Sequence, residues 1–193
     1  MHSITLLMLA SGTATRLMPA IRHGEKHILS INNVPLMVRS YITLSKIVNA
    51  KIDLVAVVRR ENRDLYELKL NKYIAREKLH IVENPLADTT NNSYTLLLGL
   101  KYVNENGLPK DIIIMNGDIV LLKPMRRNHQ ENLPNVTSAL ISYNYDKSHF
   151  MRVYVSNGYV RYMGFDIPPN LVSAVLLGIY VPSNEFHNFH KML

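Results

Sequence analysis

The organisation of this chain can be inferred from one segment near its start, Leu7-Met8-Leu9-Ala10-Ser11-Gly12-Thr13-Ala14-Thr15-Arg16-Leu17. The apolar run from Ile4 to Leu9 predicts a buried strand, and the residues after it are small or carry hydroxyl groups. Such residues fill no core, but they let the backbone come close to a ligand. Arg16 and Lys26 place two positive charges beside this turn, a combination that suits the binding of a triphosphate.

Predicted strands and helices alternate through the first part of the sequence. The strands are expected at Ile4–Ala10, Ile52–Val58, Leu79–Val82 and Asp111–Met115. Helices are expected after Pro35, over Asn62–Arg76, after the cap residue Asn91 or Asn92, and near Met125–Glu131. This order predicts an α/β protein with a Rossmann-like, mostly parallel sheet flanked by helices, which binds ligands at the carboxyl ends of its strands.

The last third of the sequence has a different pattern, typical of antiparallel strands. Asn157-Gly158 lies between two strand-like segments and predicts a hairpin with a primed turn. Further strands are expected at Val136–Tyr143, Met151–Val155 and Val172–Val181, with a final helix over Asn184–Leu193. The sheet is therefore expected to be mixed, with an antiparallel addition, within a single domain of residues 1–193.

The composition limits the classes of function. The 193 residues include 22 Lys and Arg against 15 Asp and Glu, a formal net charge of +7. The basic residues are scattered, and the densest groups, Arg59-Arg60-Arg63 and Lys123 to Arg127, are expected to be solvated surface. Scattered positive charge favours small anionic ligands over nucleic acid, which is not expected as a partner.

The chain has no cysteine and no apolar run approaching about 18 residues. No disulfide, thiolate metal site, membrane span or signal peptide is therefore expected. A cytoplasmic location is expected, and the sequence leaves homo-oligomerisation open.

Separated groups of residues resemble the motifs of one enzyme family. After the first strand come Leu9, Ala10, Gly12, Thr15, Arg16 and Leu17, followed by Lys26; Ala14 stands where a second glycine is usual, and Glu25 where a proline is usual. Asn116-Gly117-Asp118 follows another apolar run, like a metal-binding Gly-Asp pair at a strand end. The order and spacing of these groups, over roughly residues 3 to 183, are similar to those of the sugar-phosphate nucleotidyltransferases.

Another group of residues resembles one branch of that family. Asn84-Pro85 and then Asn91-Asn92-Ser93-Tyr94-Thr95-Leu96 are similar to a block in the branch that uses CTP with phosphocholine, phosphonate or inositol-phosphate acceptors. The resemblance implies a nucleotide-binding half, residues 1–134, and an acceptor-side half, residues 135–193. It also implies that an NTP, with CTP favoured, donates a nucleotidyl group to a small phosphorylated acceptor and that pyrophosphate is released.

The resemblance implies a role for each motif. Lys26 would hold the α-phosphate together with the incoming phosphate, and Arg16 would bind the β- and γ-phosphates. Asp118 would bind Mg²⁺, which bridges phosphate oxygens. The expected nucleotide-binding residues are Ala10, Ser11, Gly12, Thr13, Ala14 and Thr15 of the loop, Gly117, and the amides of Asn84, Asn91 and Asn92, which are able to read a pyrimidine edge.

Several of these residues have a plain structural alternative. Asp118 could merely shape a turn, and Asn91 and Asn92 could do no more than cap a helix. His187 and His190 lie three apart on the last predicted helix, which suits a surface face better than a metal site. The tyrosines within 143–145 and 159–162 could surround a quaternary ammonium, although strand packing explains them more simply.

The chain also departs from the family pattern. The sequence ends before any segment like the one that carries the family's second metal aspartate, and no spacing requires Asp166 or Glu185 to replace it. The region Gly164-Phe165-Asp166 lacks the lysine that many relatives have there for the acceptor phosphate.

Three hypotheses remain: an active short enzyme, a nucleotide-binding module without catalysis, or a fragment whose remaining part was lost or is supplied by another chain. The enzyme is favoured because Arg16, Lys26 and Asp118 are all present. A related glycosyltransferase is disfavoured, since no Asp-x-Asp motif follows the fourth strand.

Overall fold

The computed structural model describes residues 2–14, 17, 25–48, 50–121, 134–143 and 151–191. Its strands are β1 (Ser3–Ala10), β2 (Ser30–Ile31), β3 (Val34–Pro35), β4 (Lys51–Arg59), β5 (Leu79–Asn84), β6 (Ile112–Asn116), β7 (Ser138–Ser142), β8 (Arg152–Ser156), β9 (Tyr159–Gly164) and β10 (Ala174–Val181). Its α-helices are α1 (Leu36–Val48), α2 (Arg63–Leu70), α3 (Asn92–Glu105) and α4 (Ser183–Lys191). The helix predicted near Met125–Glu131 lies outside the described residues, as do Thr15 and Arg16.

One mixed sheet runs through the described part of the chain. Its strand order is β5-β4-β1-β6-β10-β8-β9, and β7 also pairs with β10. Strand β1 pairs in parallel with β4 and β6, and β4 pairs in parallel with β5. Strand β10 pairs antiparallel with β6, β7 and β8. The predicted fold class, a mixed, mostly parallel sheet flanked by helices with an antiparallel addition, is confirmed.

Strand β1 is buried because packed layers cover both faces of the sheet around it. Successive side chains of a strand point to opposite faces. Leu6 and Met8 therefore pack in the layer that contains α1 and α2, whereas Leu7 packs in the layer that contains α3 and α4. A Cβ atom at Gly99 of α3 would overlap Leu7 Cδ1, so the absence of a side chain lets this helix lie directly against β1.

Two hairpins turn at pairs of residues with positive φ. Asn157 and Gly158, with φ of 54° and 78°, join β8 to β9, as the sequence predicts. Asn32 and Asn33, with φ of 48° and 61°, join the short strands β2 and β3, a hairpin that the sequence analysis missed. Asparagine tolerates the left-handed region, so the Asn-Asn pair was a signal for this turn.

The helix predicted over Asn62–Arg76 is shorter than expected and ends at Leu70. The amides of Tyr73 and Ile74 both donate to the Leu70 carbonyl oxygen, at 2.9 and 3.0 Å, which closes the helix with a tight turn. Ile74 is buried in the core, and its burial explains why an apolar residue lies beyond the end of the helix. No helix among the described residues is long and apolar enough to cross a membrane.

The carboxyl ends of the parallel strands meet at one edge of the sheet. There the strand ends lie side by side as the pairs Ala10–Val58, Arg59–Asn84 and Leu9–Asn116. The loops that follow β1, β4, β5 and β6 therefore share this edge, where α/β proteins usually bind their ligands.

Candidate functional site

A cleft of about 500 Å³ lies at this edge of the sheet. Its volume is within the range of small-ligand sites. Among the described residues, its lining consists of Gly12, Thr13 and Ala14 of the loop after β1, Lys26 and Asp118, and the apolar side chains of Leu17, Leu29 and Leu36. The described part of the cleft thus combines loop backbone, the cation Lys26, the anion Asp118 and apolar surface, which suits a ligand with both charged and apolar parts.

Lys26 and Asp118 form an ion pair in the cleft, although 92 residues separate them in the sequence. Lys26 Nζ lies 2.7 Å from Asp118 Oδ2. Burial of Asp118 acts to raise the pKa of its carboxyl group, but the hydrogen bond and charge of Lys26 outweigh burial and hold the pKa below its ordinary value. Asp118 is therefore ionised at neutral pH.

Gly117 fixes the turn that presents Asp118. A Cβ atom at residue 117 would lie 2.9 Å from Met37 Cε and 3.0 Å from His27 Cδ2, closer than packed atoms normally approach. The Gly117 amide also donates to the Leu9 carbonyl oxygen at 2.9 Å, which connects the turn after β6 to the end of β1. The position of Asp118 is thus set by the core beneath it and by the neighbouring strand.

His27 supports the same turn from the core side. Its ring is buried, and Nδ1 lies 2.9 Å from the Tyr66 hydroxyl oxygen of α2. Burial raises the pKa of Tyr66, so its hydroxyl stays protonated. The sequence analysis missed this pair, because His27 lies in a linking segment and Tyr66 belongs to no motif.

The loop after β1 contains two small residues with different structural requirements. Ala14 has a φ of 58°, in the left-handed region that favours glycine. This conformation accounts for the glycine that is usual at this position in the family that the sequence resembles. A Cβ atom at Gly12 would meet nothing within 4 Å, so the fold does not require glycine there. Gly12 instead leaves open space on the wall of the cleft.

Asn84, expected to read a base, is directed into the protein. Its side chain is 1% exposed, and Oδ1 accepts a hydrogen bond from the Leu86 amide at 2.9 Å. Its Nδ2 faces the hydroxyls of Ser11, Thr90 and Thr95 at 3.4, 3.4 and 3.2 Å. These contacts engage both ends of the side-chain amide.

Asn91 and Asn92 lie at the start of α3. The Asn91 side-chain oxygen accepts from the amides of Ser93 and Tyr94 at 3.0 and 3.3 Å, which is N-cap geometry. Asn92 is exposed as the first residue of the helix. The capping alternative is confirmed for Asn91, while base contacts by Asn84, Asn91 and Asn92 stay predictions. The roles of Thr15 and Arg16, outside the described residues, also stay predictions.

Arg59, at the end of β4, is buried rather than solvated, so the expectation for the basic group is wrong at this residue. Its side chain is 4% exposed, with Nε 2.5 Å from Glu61 Oε1 and Nη2 2.6 Å from Asp88 Oδ1. Asp88 belongs to the loop between β5 and α3, so Arg59 holds that loop at the carboxyl edge of the sheet. Arg60 and Arg63 are exposed, as expected.

The two carboxylates considered as a second metal ligand have other partners. The Tyr162 hydroxyl donates a hydrogen bond to Asp166 Oδ2 at 3.0 Å, and Glu185 Oε2 accepts a hydrogen bond from the Thr137 amide at 2.9 Å. His187 is exposed. Within the described ranges, no group of three His, Cys, Asp or Glu side chains is placed to share a metal ion.

Asp118 alone still fits a magnesium ligand. Mg²⁺ is commonly held by one or two carboxylates together with substrate phosphates and water. Asp118 supplies an ionised oxygen on the wall of the cleft, next to the loop expected to hold phosphates.

A mostly parallel sheet with a small-residue loop and a Lys–Asp pair at its carboxyl edge defines an α/β protein with a cleft suited to an anionic ligand. The sequence profile of the nucleotidyl transferase family matches residues 5–150, more than half of the chain. The chain belongs to the nucleotidyl transferase family. This family binds a nucleoside triphosphate and a phosphorylated sugar or alcohol, and it generally uses divalent metal ions.

Solved structures of three other proteins have a similar fold. The inositol-1-phosphate CTP transferase from T. maritima has a TM-score of 0.72 at 20% identity, over 97% of this chain and 73% of that chain. The CTP:phosphocholine cytidylyltransferase from Streptococcus pneumoniae has a TM-score of 0.68 at 18% identity, over 99% of this chain and 75% of that chain. A protein assigned as a glucose-1-phosphate thymidylyltransferase from Bacillus anthracis has a TM-score of 0.72 at 17% identity, over 98% of this chain and 76% of that chain. No curated protein sequence matches the chain significantly.

Proposed function

We propose that this protein transfers a nucleotidyl group from a nucleoside triphosphate, with CTP favoured, to a phosphorylated acceptor and releases pyrophosphate. The acceptor would be a sugar phosphate, a phospho-alcohol or a phosphonate. The observation that carries the proposal is the Lys26–Asp118 pair, 2.7 Å apart in the cleft beside the small-residue loop. Membership of the nucleotidyl transferase family supports the same reaction class.

The proposed reaction depends on charge neutralisation more than on proton transfer, because both reactants are anions. An oxygen of the acceptor phosphate attacks the α-phosphorus of the nucleotide. The bond from that phosphorus to the oxygen shared with the β-phosphate breaks, and pyrophosphate leaves. Lys26 would neutralise the α-phosphate and the incoming phosphate together, while Arg16 would bind the β- and γ-phosphates.

Asp118 is the proposed ligand for a divalent cation. When bound, such a cation neutralises phosphate oxygens and orients them. Lys26 and Asp118 face each other in the cleft, so ligand binding would replace their mutual contact with contacts from Lys26 to phosphate and from Asp118 to the cation. The turn at Gly117 keeps Asp118 in place during this exchange, since it packs on the core.

The preference for CTP rests on the asparagine-rich block between β5 and α3. Asn92 is exposed at the start of α3, where its amide could reach a base, and Asn91 shapes the same end of the helix. Two of the similar structures are named as enzymes that use CTP, which is in keeping with this preference. Residues 1–134 would bind the nucleotide and residues 135–193 the acceptor; the cytoplasmic location and any homo-oligomer stay predictions.

A second candidate function is nucleotide binding without transfer. It is favoured by the hydrogen bonds from Tyr162 to Asp166 and from Thr137 to Glu185, because each of these carboxylates already has a protein partner. A protein that holds nucleotide through Lys26 and Asp118 alone would then act as a regulatory or binding module.

Pyrophosphate release tests the two functions. The protein is incubated with Mg²⁺, one of CTP, UTP, dTTP or GTP, and one acceptor from a panel of sugar phosphates, phosphocholine, inositol phosphate and a phosphonate. We expect release that needs both substrates and is fastest with CTP. Thermal shift with each nucleotide, with and without Mg²⁺, reports binding separately. A thermal shift without pyrophosphate release supports the binding module. The absence of both a thermal shift and pyrophosphate release would contradict both functions.

A further inference from the structure

We infer that Thr95 is a positioning residue whose hydroxyl holds the loop after β1 and the loop after β5 at a fixed spacing. This inference rests on the proposed function, because these two loops would bind the triphosphate and the base. Thr95 lies in the first turn of α3 and is 1% exposed, so it is not available to contact a ligand. Its effect on the site would act entirely through its neighbours.

The Thr95 hydroxyl has partners in three different segments. Ser11 Oγ lies 2.6 Å away, Asn84 Nδ2 3.2 Å away and the Asn91 carbonyl oxygen 3.3 Å away. Ser11 and Thr95 are 84 residues apart in the sequence. One hydroxyl group therefore connects the end of β1, the end of β5 and the cap of α3.

The directions of these hydrogen bonds follow from the donors available. Asn84 Oδ1 accepts from the Leu86 amide at 2.9 Å, so Nδ2 is the end that faces Thr95. The single Thr95 hydroxyl proton then points to the Asn91 carbonyl oxygen, and the Ser11 hydroxyl donates to Thr95 Oγ1. In this arrangement the Thr95 oxygen donates once and accepts twice, which is the full capacity of a hydroxyl group.

The contacts of Thr95 hold the two loops proposed to bind the nucleotide, and they differ from the contacts that hold the proposed catalytic pair. Ser11 begins the loop whose next residues line the cleft, and Asn84 begins the loop that Arg59 holds through Asp88. Asp118 is placed by other contacts, through Gly117 and the core beneath it, and Lys26 forms its ion pair with Asp118. Loss of the Thr95 hydroxyl should therefore weaken nucleotide binding while the rate of the bound complex is retained.

The test compares three variants in the intact protein. Thr95→Val keeps the shape of the side chain and removes the hydroxyl, whereas Thr95→Ser keeps the hydroxyl. Thr5→Val is the matched control: Thr5 is 0% exposed, and its hydroxyl donates to the Pro109 carbonyl oxygen at 2.7 Å, at the amino end of β1 and away from the cleft. Steady-state pyrophosphate release gives kcat and the KM values for CTP and for the acceptor, and thermal unfolding without ligand gives the stability of each variant.

For Thr95→Val we expect the KM for CTP to rise about five- to tenfold, the effect of losing roughly one net hydrogen bond in ligand placement. The kcat and the acceptor KM should stay within about twofold of wild type, and Thr95→Ser should restore the KM for CTP. Thr5→Val should lower thermal stability to a similar degree and leave the KM for CTP unchanged. A KM for CTP that is unchanged in Thr95→Val, or equally raised in Thr5→Val, would overturn the inference.

Two further measurements keep the test decisive. If Thr95→Val does not fold, Ser11→Ala removes the hydroxyl that donates to Thr95 and faces Asn84 Nδ2, and leaves Thr95 itself in place. An unchanged KM for CTP in that variant would also contradict the inference. If the wild-type protein neither binds nor turns over any nucleotide, the proposed function fails. Amide hydrogen exchange of residues 86–92 then tests the connection alone: exchange should be faster in Thr95→Val than in Thr5→Val, and equal exchange would overturn it.

Discussion

The parallel half of the sheet and the β8–β9 hairpin have opposite environments. Leu6 and Leu7 are adjacent in β1, point to opposite faces, and are both fully buried. Tyr159, Tyr162 and Phe165, in β9 and just after it, are 69%, 52% and 66% exposed. The difference follows from position in the sheet, because β1 has a strand on each side and packed layers on both faces, whereas β9 is the last strand in the order.

This difference explains where a precise site can form. Loops that leave the parallel strands start from residues held on both faces, so Lys26, Asp118 and Asn84 have partners that fix their positions. In the hairpin, β9 presents most of its side chains to solvent, and Val153 of β8 is its one fully buried side chain. We therefore expect the parallel half to carry stability and nucleotide binding, and the hairpin to tolerate change.

The largest expected effect concerns Lys26. Lys26→Ala should lower the rate of pyrophosphate release by roughly 10²–10³-fold, because it removes charge stabilisation of the transition state. Lys51→Ala, at the exposed amino end of β4, is the matched control and should keep the wild-type rate. A wild-type rate in Lys26→Ala would remove this residue from the mechanism.

Core truncation contrasts the two regions directly. Leu6→Ala should lower the free energy of unfolding by about 2–5 kcal/mol, since it opens a cavity in a fully buried layer. Tyr159→Ser, on the exposed hairpin, should cost less than about 1 kcal/mol. Urea unfolding measures both changes, and similar costs would show that the hairpin is as important to stability as the parallel half.

Gly12→Ala should separate ligand binding from folding. The added methyl group meets no protein atom, so the unfolding temperature without ligand should be unchanged. It occupies the wall of the cleft, however, and nucleotide affinity should fall by about tenfold, equivalent to about 1.4 kcal/mol. The thermal shift caused by CTP measures this loss, and a wild-type shift would place the nucleotide elsewhere.

The smallest expected effect is a gain. Ala14→Gly should raise the free energy of unfolding by about 0.5–1 kcal/mol, because relief of the left-handed strain exceeds the added entropy of the unfolded chain. Ala10→Gly, in a buried strand, is the control and should lower it. Loss of stability in Ala14→Gly would show that the loop adopts another conformation in solution.

Much of this architecture was predictable from local patterns. Continuous apolar runs identified the parallel strands, and Asn157-Gly158 identified the hairpin between β8 and β9. The rule that parallel strand ends share one edge was enough to bring Lys26 near Asp118. These inferences succeeded because each depends on residues that are neighbours in the chain or on a topological rule.

Other features of the site were not predictable. The inward direction of Asn84, the burial of Arg59, the contact of His27 with Tyr66 and the three partners of Thr95 give no sign in local sequence. Asparagine and arginine are mostly exposed in proteins and histidine is intermediate, so residue type gave no reason to expect these buried contacts.

The amino-acid sequence alone thus predicted the type and order of most elements, though not the β2–β3 hairpin, and the sheet edge at which a ligand is expected, since alternation and periodicity arise from neighbouring residues. The folded arrangement settled which side chains face the cleft and which face each other. Ser11 meets Thr95 across 84 residues and Lys26 meets Asp118 across 92. Such partners are selected by the packing of whole strands and helices, so they become visible only when those elements are assembled.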